Sequence, residues 1–559
     1  MRKNINKALT LFPLSLFAVV ALSGCANNDS EKLVLRVLNS ADYIYEEQEI
    51  DEEERQCGYA SYLLQGSDQE GFNPLTADPN LDMMDQFADY MKAKYNLEVS
   101  YVYDTFDTNE TMYNELMTGK SNYDLICTSD YMLQKLISNN LIQPISISGH
   151  YTESEELASI RSNISDYLWN IFDGIHPKKL EVAEGEDPYI QDKFLSQYSV
   201  PYMWGTVGIL FNPSFYAETE DDIEQICNDF MSWDVLYKDE NGNDTRYTNT
   251  FSVKDSVRDM YAVSIVHAFK DEISALNEMV LTDEEYNKRM NDIFNRCDDA
   301  TIEIVKQDLL KIKENSFGFE VDSGKTDMVE GKIGANICWS GDATWAIQEA
   351  EMDYEKELYF SVPGEGSNIW FDGWCIPTVA KNPDLARDFI DFMSQPKQAI
   401  QNMWSVGYTS ATNGDEMLDY VYECYDVREV VGGEITAETP YTEYDIRYFF
   451  EGSLSSEYEA IGDAALLYAY PECAYRDLSA QYPTQAQLKS LCVMDDFGTQ
   501  NNKVLNMWEH VRTNTLPVWA IIVLVLEALL ALSLVFYFVF NKVSKNKMRK
   551  VRRDQRHSN

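Results

Sequence analysis

The chain has 559 residues, 45% of them hydrophobic, with 36 Tyr and a formal net charge of −48. That hydrophobic content excludes a disordered chain, and so acidic a surface repels nucleic acid while attracting cations. Ten cysteines without Cys-x-x-Cys spacing and five unclustered histidines exclude a disulfide framework and a zinc site.

In chain order, Arg2, Lys3 and Lys7 precede an apolar run from Ala8 to Ala21, and Leu22-Ser23-Gly24-Cys25 follows. This is the layout of a secretory signal. Its last four residues resemble a bacterial lipobox. Residues 1–24 are therefore expected to be a signal peptide, Cys25 to be lipidated, and residues 25–32 to form a spacer. Leu33 to Leu38 reads as a buried strand ending at Asn39-Ser40. Helix Met83 to Tyr95, strand Leu97 to Tyr103, helix Glu110 to Thr118, strand Tyr123 to Cys127 and helix Tyr131 to Asn139 follow. Strands alternating with helices predict an α/β fold with a mostly parallel sheet, whose ligands sit beyond the strands' carboxyl ends.

A second strand-and-helix series starts at Val200-Pro201-Tyr202 and runs to about Pro363, and Ile369 to Pro377 leads back to the first unit. The predicted organisation is lobe one at 33–147, lobe two at 148–368, a return to lobe one at 369–414, and a C-terminal part of lobe two at 481–514. Residues 45–80, acidic and turn-rich, and residues 415–480, rich in Tyr, Glu and Gly, are expected to be surface insertions. Leu516 to Phe540 contains one charge, Glu527, and is long enough to cross ~30 Å of hydrocarbon as a helix. The tail 541–559 holds eight Lys or Arg against one Asp, which places it in the cytoplasm. The body then lies outside the cell membrane, on the side where a lipidated Cys25 would also sit. Without the basic residues at the two ends, Glu527 and Asp554, the body keeps 34 basic against 91 acidic residues, which suits a cationic ligand. No Gly-x-Ser-x-Gly, phosphate-cradling loop or Gly-x-Gly-x-x-Gly is present, so nothing argues for an enzyme or a cofactor.

Seven segments carry a family resemblance. They are Leu38-Asn39-Ser40-Ala41-Asp42-Tyr43-Ile44, Tyr103 through Tyr113 with Asp-x-x-Asn-Glu-Thr-Met-Tyr, Tyr123 through Tyr131, and Val200 through Thr206. Ile337-Cys338-Trp339-Ser340-Gly341, Ile369 through Pro377, and Val406-Gly407-Tyr408-Thr409 complete the set. In this order they resemble the spermidine/putrescine-binding proteins of bacterial polyamine ABC transporters. The resemblance implies a two-lobed, periplasmic-binding-protein-like (Venus flytrap) fold closing on a ligand, with a permease and an ATPase as partners. It carries ligand-binding roles onto Tyr43, Ser129 and Tyr131 of lobe one, Asp259 of lobe two, and Trp339, Trp370, Asp372 and Tyr408.

That set suits a polyamine: carboxylates offset the desolvation of ammonium groups, and aromatic faces cover methylenes at ~0.5–2 kcal/mol per cation contact. No Lys occurs in the short segments quoted. Three positions depart from the family pattern: Ser40-Ala41 before the strand-end Tyr, Ser256 beside Asp255, and Met494. A diamine or another organic cation therefore stands open beside a triamine. Thiamine, ferric ion or phosphonate, bound in the same transport role, is the alternative, as is a membrane-tethered sensor or scaffold.

Overall fold

The computed structural model describes residues 33–46, 81–145, 155–183, 185–321, 323–430 and 440–513. The signal peptide, Cys25, most of the 45–80 segment, the 516–540 stretch and the basic tail lie outside the described residues. Among the described residues, no helix is long and apolar enough to cross a membrane.

The first unit begins with β1 (Leu33–Ser40), α1 (Met83–Tyr95), β2 (Val99–Phe106), α2 (Asn109–Met117), β3 (Leu125–Ser129), α3 (Asp130–Ser138) and the short β4 (Ile142–Gln143). Local chemistry sets these limits. The side chains of Asp82 and Thr108 cap α1 and α2 by accepting from Asp85 N and Thr111 N, each cap being worth ~1 kcal/mol. β1 pairs in parallel with β2 and β3, so their carboxyl ends share one edge.

β5 (Ser199–Phe211) is a 13-residue strand buried throughout, as expected of a run apolar on both faces. The second unit follows with β6 (Phe251–Lys254), α4 (Val257–Ala268), β7 (Gly318–Glu320), α5 (Ser323–Glu330), β8 (Ala335–Trp339), α6 (Ser340–Tyr354) and β9 (Tyr359–Ser361). The chain returns through β10 (Ser367–Pro377) and the short β11 (Thr409–Ser410), and α7 (Asn501–Arg512) packs against the second unit. The sheet order is β2-β1-β3-β10-β5-β8-β6-β7. β10 runs antiparallel to β3 and β5, with a register shift between Asp372 and Gly373. β5 pairs with β10 along its first half and with β8 along its second. The two central strands therefore belong to both lobes.

Two expectations are corrected. Buried residues from Ile160 to Trp204 join the lobe-one core, and the lobe-two core begins at Val207. Lobe two therefore starts near residue 205 rather than 148, because helices after β4 fold back on the first sheet. Within 415–480, Leu418, Val421, Tyr444, Phe449 and Leu467 are buried in the lobe-one core, so this segment is no surface insertion. Its phenols reach interior acceptors: Tyr444 Oη donates to Tyr482 O at 2.8 Å and Tyr448 Oη to Pro483 O at 2.9 Å.

Candidate functional site

The strand ends of both lobes converge on one cleft. β3 passes straight into α3, presenting Ser129 and Tyr131, and β8 passes likewise into α6 beside Trp339. β10 carries Trp370 and Asp372 between them. Tyr43 follows β1, and Tyr408 precedes β11.

All eight sequence-predicted cleft residues form one connected cluster. Tyr43 Oη donates to Asp372 Oδ2 at 2.7 Å, and Ser129 also bonds that carboxylate. The Tyr43 ring meets Tyr408 edge-on at 5.3 Å, and Tyr408 meets Trp370 at 5.6 Å. Asn109, in the most specific of the seven segments, donates to Ser129 Oγ and to Tyr131 Oη, both at 3.1 Å. Across the cleft, Asp259 is hydrogen-bonded by Trp339 and Ser256. Gly205 permits close packing: a Cβ there would lie 2.5 Å from the Trp370 ring.

The electrostatics divide the carboxylates. Burial pushes Asp372 above the usual carboxylate range, against the bonds from Ser129 and Tyr43, and the nearby Asp259 charge adds to the rise. Burial likewise raises Asp259, which Ser256, Trp339, Lys254 and Arg258 only partly offset. Among the described residues, neither carboxylate is in an ion pair. Asp130 is pushed up to about 7, chiefly by burial; its oxygens accept from Phe371 N at 3.0 Å and Tyr131 N at 2.5 Å. Asp342 behaves oppositely: burial opposes its charge, yet Lys254 and Lys325 hold it below the usual range.

Sequence reasoning missed several cleft residues. Asp342 lies one position beyond the Ile337–Gly341 segment, and its Oδ1 accepts from Tyr408 Oη at 3.1 Å. The first-turn acid after a strand-end Trp was the signal available. Lysine is also present, contrary to the impression left by the short segments. The Lys254 ammonium stands 4.6 Å from the Trp339 ring centroid. The Arg258 guanidinium lies 3.7 Å from the Tyr131 ring centroid, reaching from lobe two to lobe one. Two of the three departing positions, Ser256 and Met494, have local explanations, as does Asp255 beside the first. Ser256 caps α4, Asp255 is taken by Arg512 at 3.1 Å, and Met494 is buried in the lobe-two core. No group of three or more His, Cys, Asp or Glu is set to hold a metal among the described residues.

Comparison with known proteins decides the family: residues 83–414 match the model of the bacterial extracellular solute-binding proteins. The chain belongs to this family. The putrescine-binding periplasmic protein PotF of Escherichia coli is 25% identical over 317 residues, covering 56% of this chain and 71% of that protein. The spermidine/putrescine-binding periplasmic protein of Salmonella typhimurium is 25% identical over 311 residues, covering 56% and 70%. The solute-binding family member PotD of Streptococcus pneumoniae, a spermidine/putrescine transporter protein of solved structure, is 20% identical. It covers 86% of this chain and 100% of that one with a TM-score of 0.48. The polyamine-binding branch named from the seven segments is thus the branch in which these relatives fall.

Proposed function

We propose that this solute-binding protein captures a small polyamine in the interlobe cleft and hands it to the permease of an ABC importer. The observation that carries the reading is the pair Asp259, buried on α4 of lobe two, and Asp372, half-buried on β10, neither of them in an ion pair among the described residues. Two such charges cost several kcal/mol in isolation, and a ligand bearing two ammonium groups removes that cost. Trp339, Trp370 and Tyr408 supply faces for the methylenes between them. The names of the relatives, putrescine- and spermidine-binding proteins, support the same ligand class.

Tyr43, Asp259 and Trp370 are only 7%, 6% and 8% exposed, so entry requires the lobes to part. The continuous strands β5 and β10 are the elements about which they would turn. The lipidated Cys25 and the 516–540 stretch would hold the body at the outer face of the membrane, with the basic tail inside. Transport, not catalysis, is the role.

The test is thermal unfolding of the detergent-solubilised full chain against putrescine, spermidine, thiamine and aminophosphonates. A ligand at 100 times its Kd adds ~2.7 kcal/mol. A shift with an amine that disappears in Asp372→Asn supports the proposal. A shift with a non-amine alone would discard the polyamine, and no shift with any compound would favour a sensor or scaffold.

A further inference from the structure

Resting on the polyamine reading, a second observation concerns how many charges the cleft can accept. Three carboxylates approach the aromatic cage of Trp339, Trp370 and Tyr408: Asp259, Asp342 and Asp372. Only Asp342 is already paired. Its Oδ2 accepts from Lys254 Nζ at 3.0 Å, and its Oδ1 lies 3.3 Å from Lys325 Nζ and accepts from Tyr408 Oη at 3.1 Å. Both oxygens are therefore occupied. Lys254, 2% exposed, is also 3.4 Å from Glu320 Oε1 and donates to Val321 O at 3.0 Å. Glu320 in turn accepts from Gly324 N at 2.9 Å and from Asn336 Nδ2 at 3.1 Å. Two carboxylates and two ammonium groups thus form a neutral set beside Trp339.

A buried carboxylate attracts a ligand cation only while its own charge is unmet. Asp130 adds nothing to that count, because both its oxygens are bonded to backbone N–H groups, of Phe371 and Tyr131. What remains without an ion pair among the described residues is one carboxylate on lobe two, Asp259, which the Lys254 and Arg258 charges only partly offset, and one on β10, Asp372.

We propose that Lys254 and Lys325 are specificity-determining residues that fill, from within the protein, the place a third ammonium would need. The cleft is thereby set for a diamine and against a triamine. Lys325 is the accessible half of the device: its side chain is 32% exposed on α5. Lys254 lies on a core strand.

The experiment titrates the detergent-solubilised full chain with putrescine and with spermidine by calorimetry. The wild type is expected to bind putrescine at least ten-fold more tightly. Lys325→Met is expected to tighten spermidine at least ten-fold while moving putrescine less than three-fold. The double variant Lys325→Met/Asp342→Asn is expected to lose that gain. A wild type that prefers spermidine, a Lys325→Met ratio equal to that of the wild type, or a spermidine gain retained in the double variant would each overturn the inference while leaving the polyamine reading intact. Failure of the wild type to bind either amine overturns both.

Discussion

On the β10 and lobe-one side of the cleft, Asp372 is held by neutral hydroxyls, with Tyr43 at 2.7 Å and Ser129 beside it. On the lobe-two side, Asp342 is held by two lysines. Asp372 is half-buried and Asp342 buried, yet desolvation raises the first and the lysines lower the second. The difference teaches that a carboxylate in a cleft is no ligand contact by position alone. Hydroxyl donors orient a charge without cancelling it, so it stays available. Ammonium donors cancel it, and it becomes part of the scaffold.

Exchanging charge for amide on the two sides should give opposite patterns. Asp372→Asn is expected to weaken amine binding by roughly 3–5 kcal/mol, the cost of leaving a buried ligand charge unpaired. The ligand-free melting temperature should stay level or rise. Asp342→Asn should lower stability by about 3 kcal/mol, because Lys254 keeps only Glu320, with affinity nearly unchanged. Denaturant unfolding beside calorimetry reads both, and equal effects on affinity from the two variants would break the comparison.

A steric change separates positioning from charge. A Cβ on Gly341 would lie 2.2 Å from the Tyr408 ring, so Gly341→Ala should cost ~1–3 kcal/mol through overpacking. It should displace the ring that touches Tyr43 and Trp370, lowering both stability and affinity. Near-wild-type values for both would mean that the ring has room to yield.

A last effect is in pH. Asp130 has an ordinary value of 3.8 and is pushed to about 7 by burial, so the folded chain holds this proton more tightly than the unfolded one. The cost of its charge is fully present above pH 7 and is relieved as pH falls from 7 toward 3.8. Through this group ligand-free stability should therefore gain up to ~1.4 kcal/mol per pH unit in that window, and Asp130→Asn should remove that share of the gain, leaving the part due to Asp259 and Asp372. Amine affinity should move the other way, because Asp259 and Asp372, also raised, lose their charge on acidification. A stability slope unchanged by Asp130→Asn would assign the proton elsewhere.

Much of this site was legible in the sequence because strand-end residues travel with their strands. Asn39 and Thr128 mark ends that the parallel β1 and β3 bring together, while the eight binding positions, Trp339 of β8 among them, were legible through the family resemblance. The charge balance was not legible. Lys254, Glu320, Lys325 and Asp342 are separated by up to 88 positions, and only the pairing of β6 with β7 and β8 unites them. The stretch 415–480 misled for another reason. Tyrosine is common on surfaces, but there its hydroxyls find carbonyl partners that permit burial. The lobe boundary near 205 was hidden because β5 is one uninterrupted apolar run, with no residue marking where it leaves one core for the other.

β10 carries Asp372 and Trp370 along the line that both lobes share. For a rotation about β5 and β10, points on that line move least and points on α4 or β8 move most. A diffusing cation would therefore meet Asp372 and Trp370 in their final places before closure, whereas Asp259 and Trp339 would arrive with the moving lobe. Changes on β10 should then be felt in how fast ligand is captured, and changes on α4 or β8 in how long it is retained.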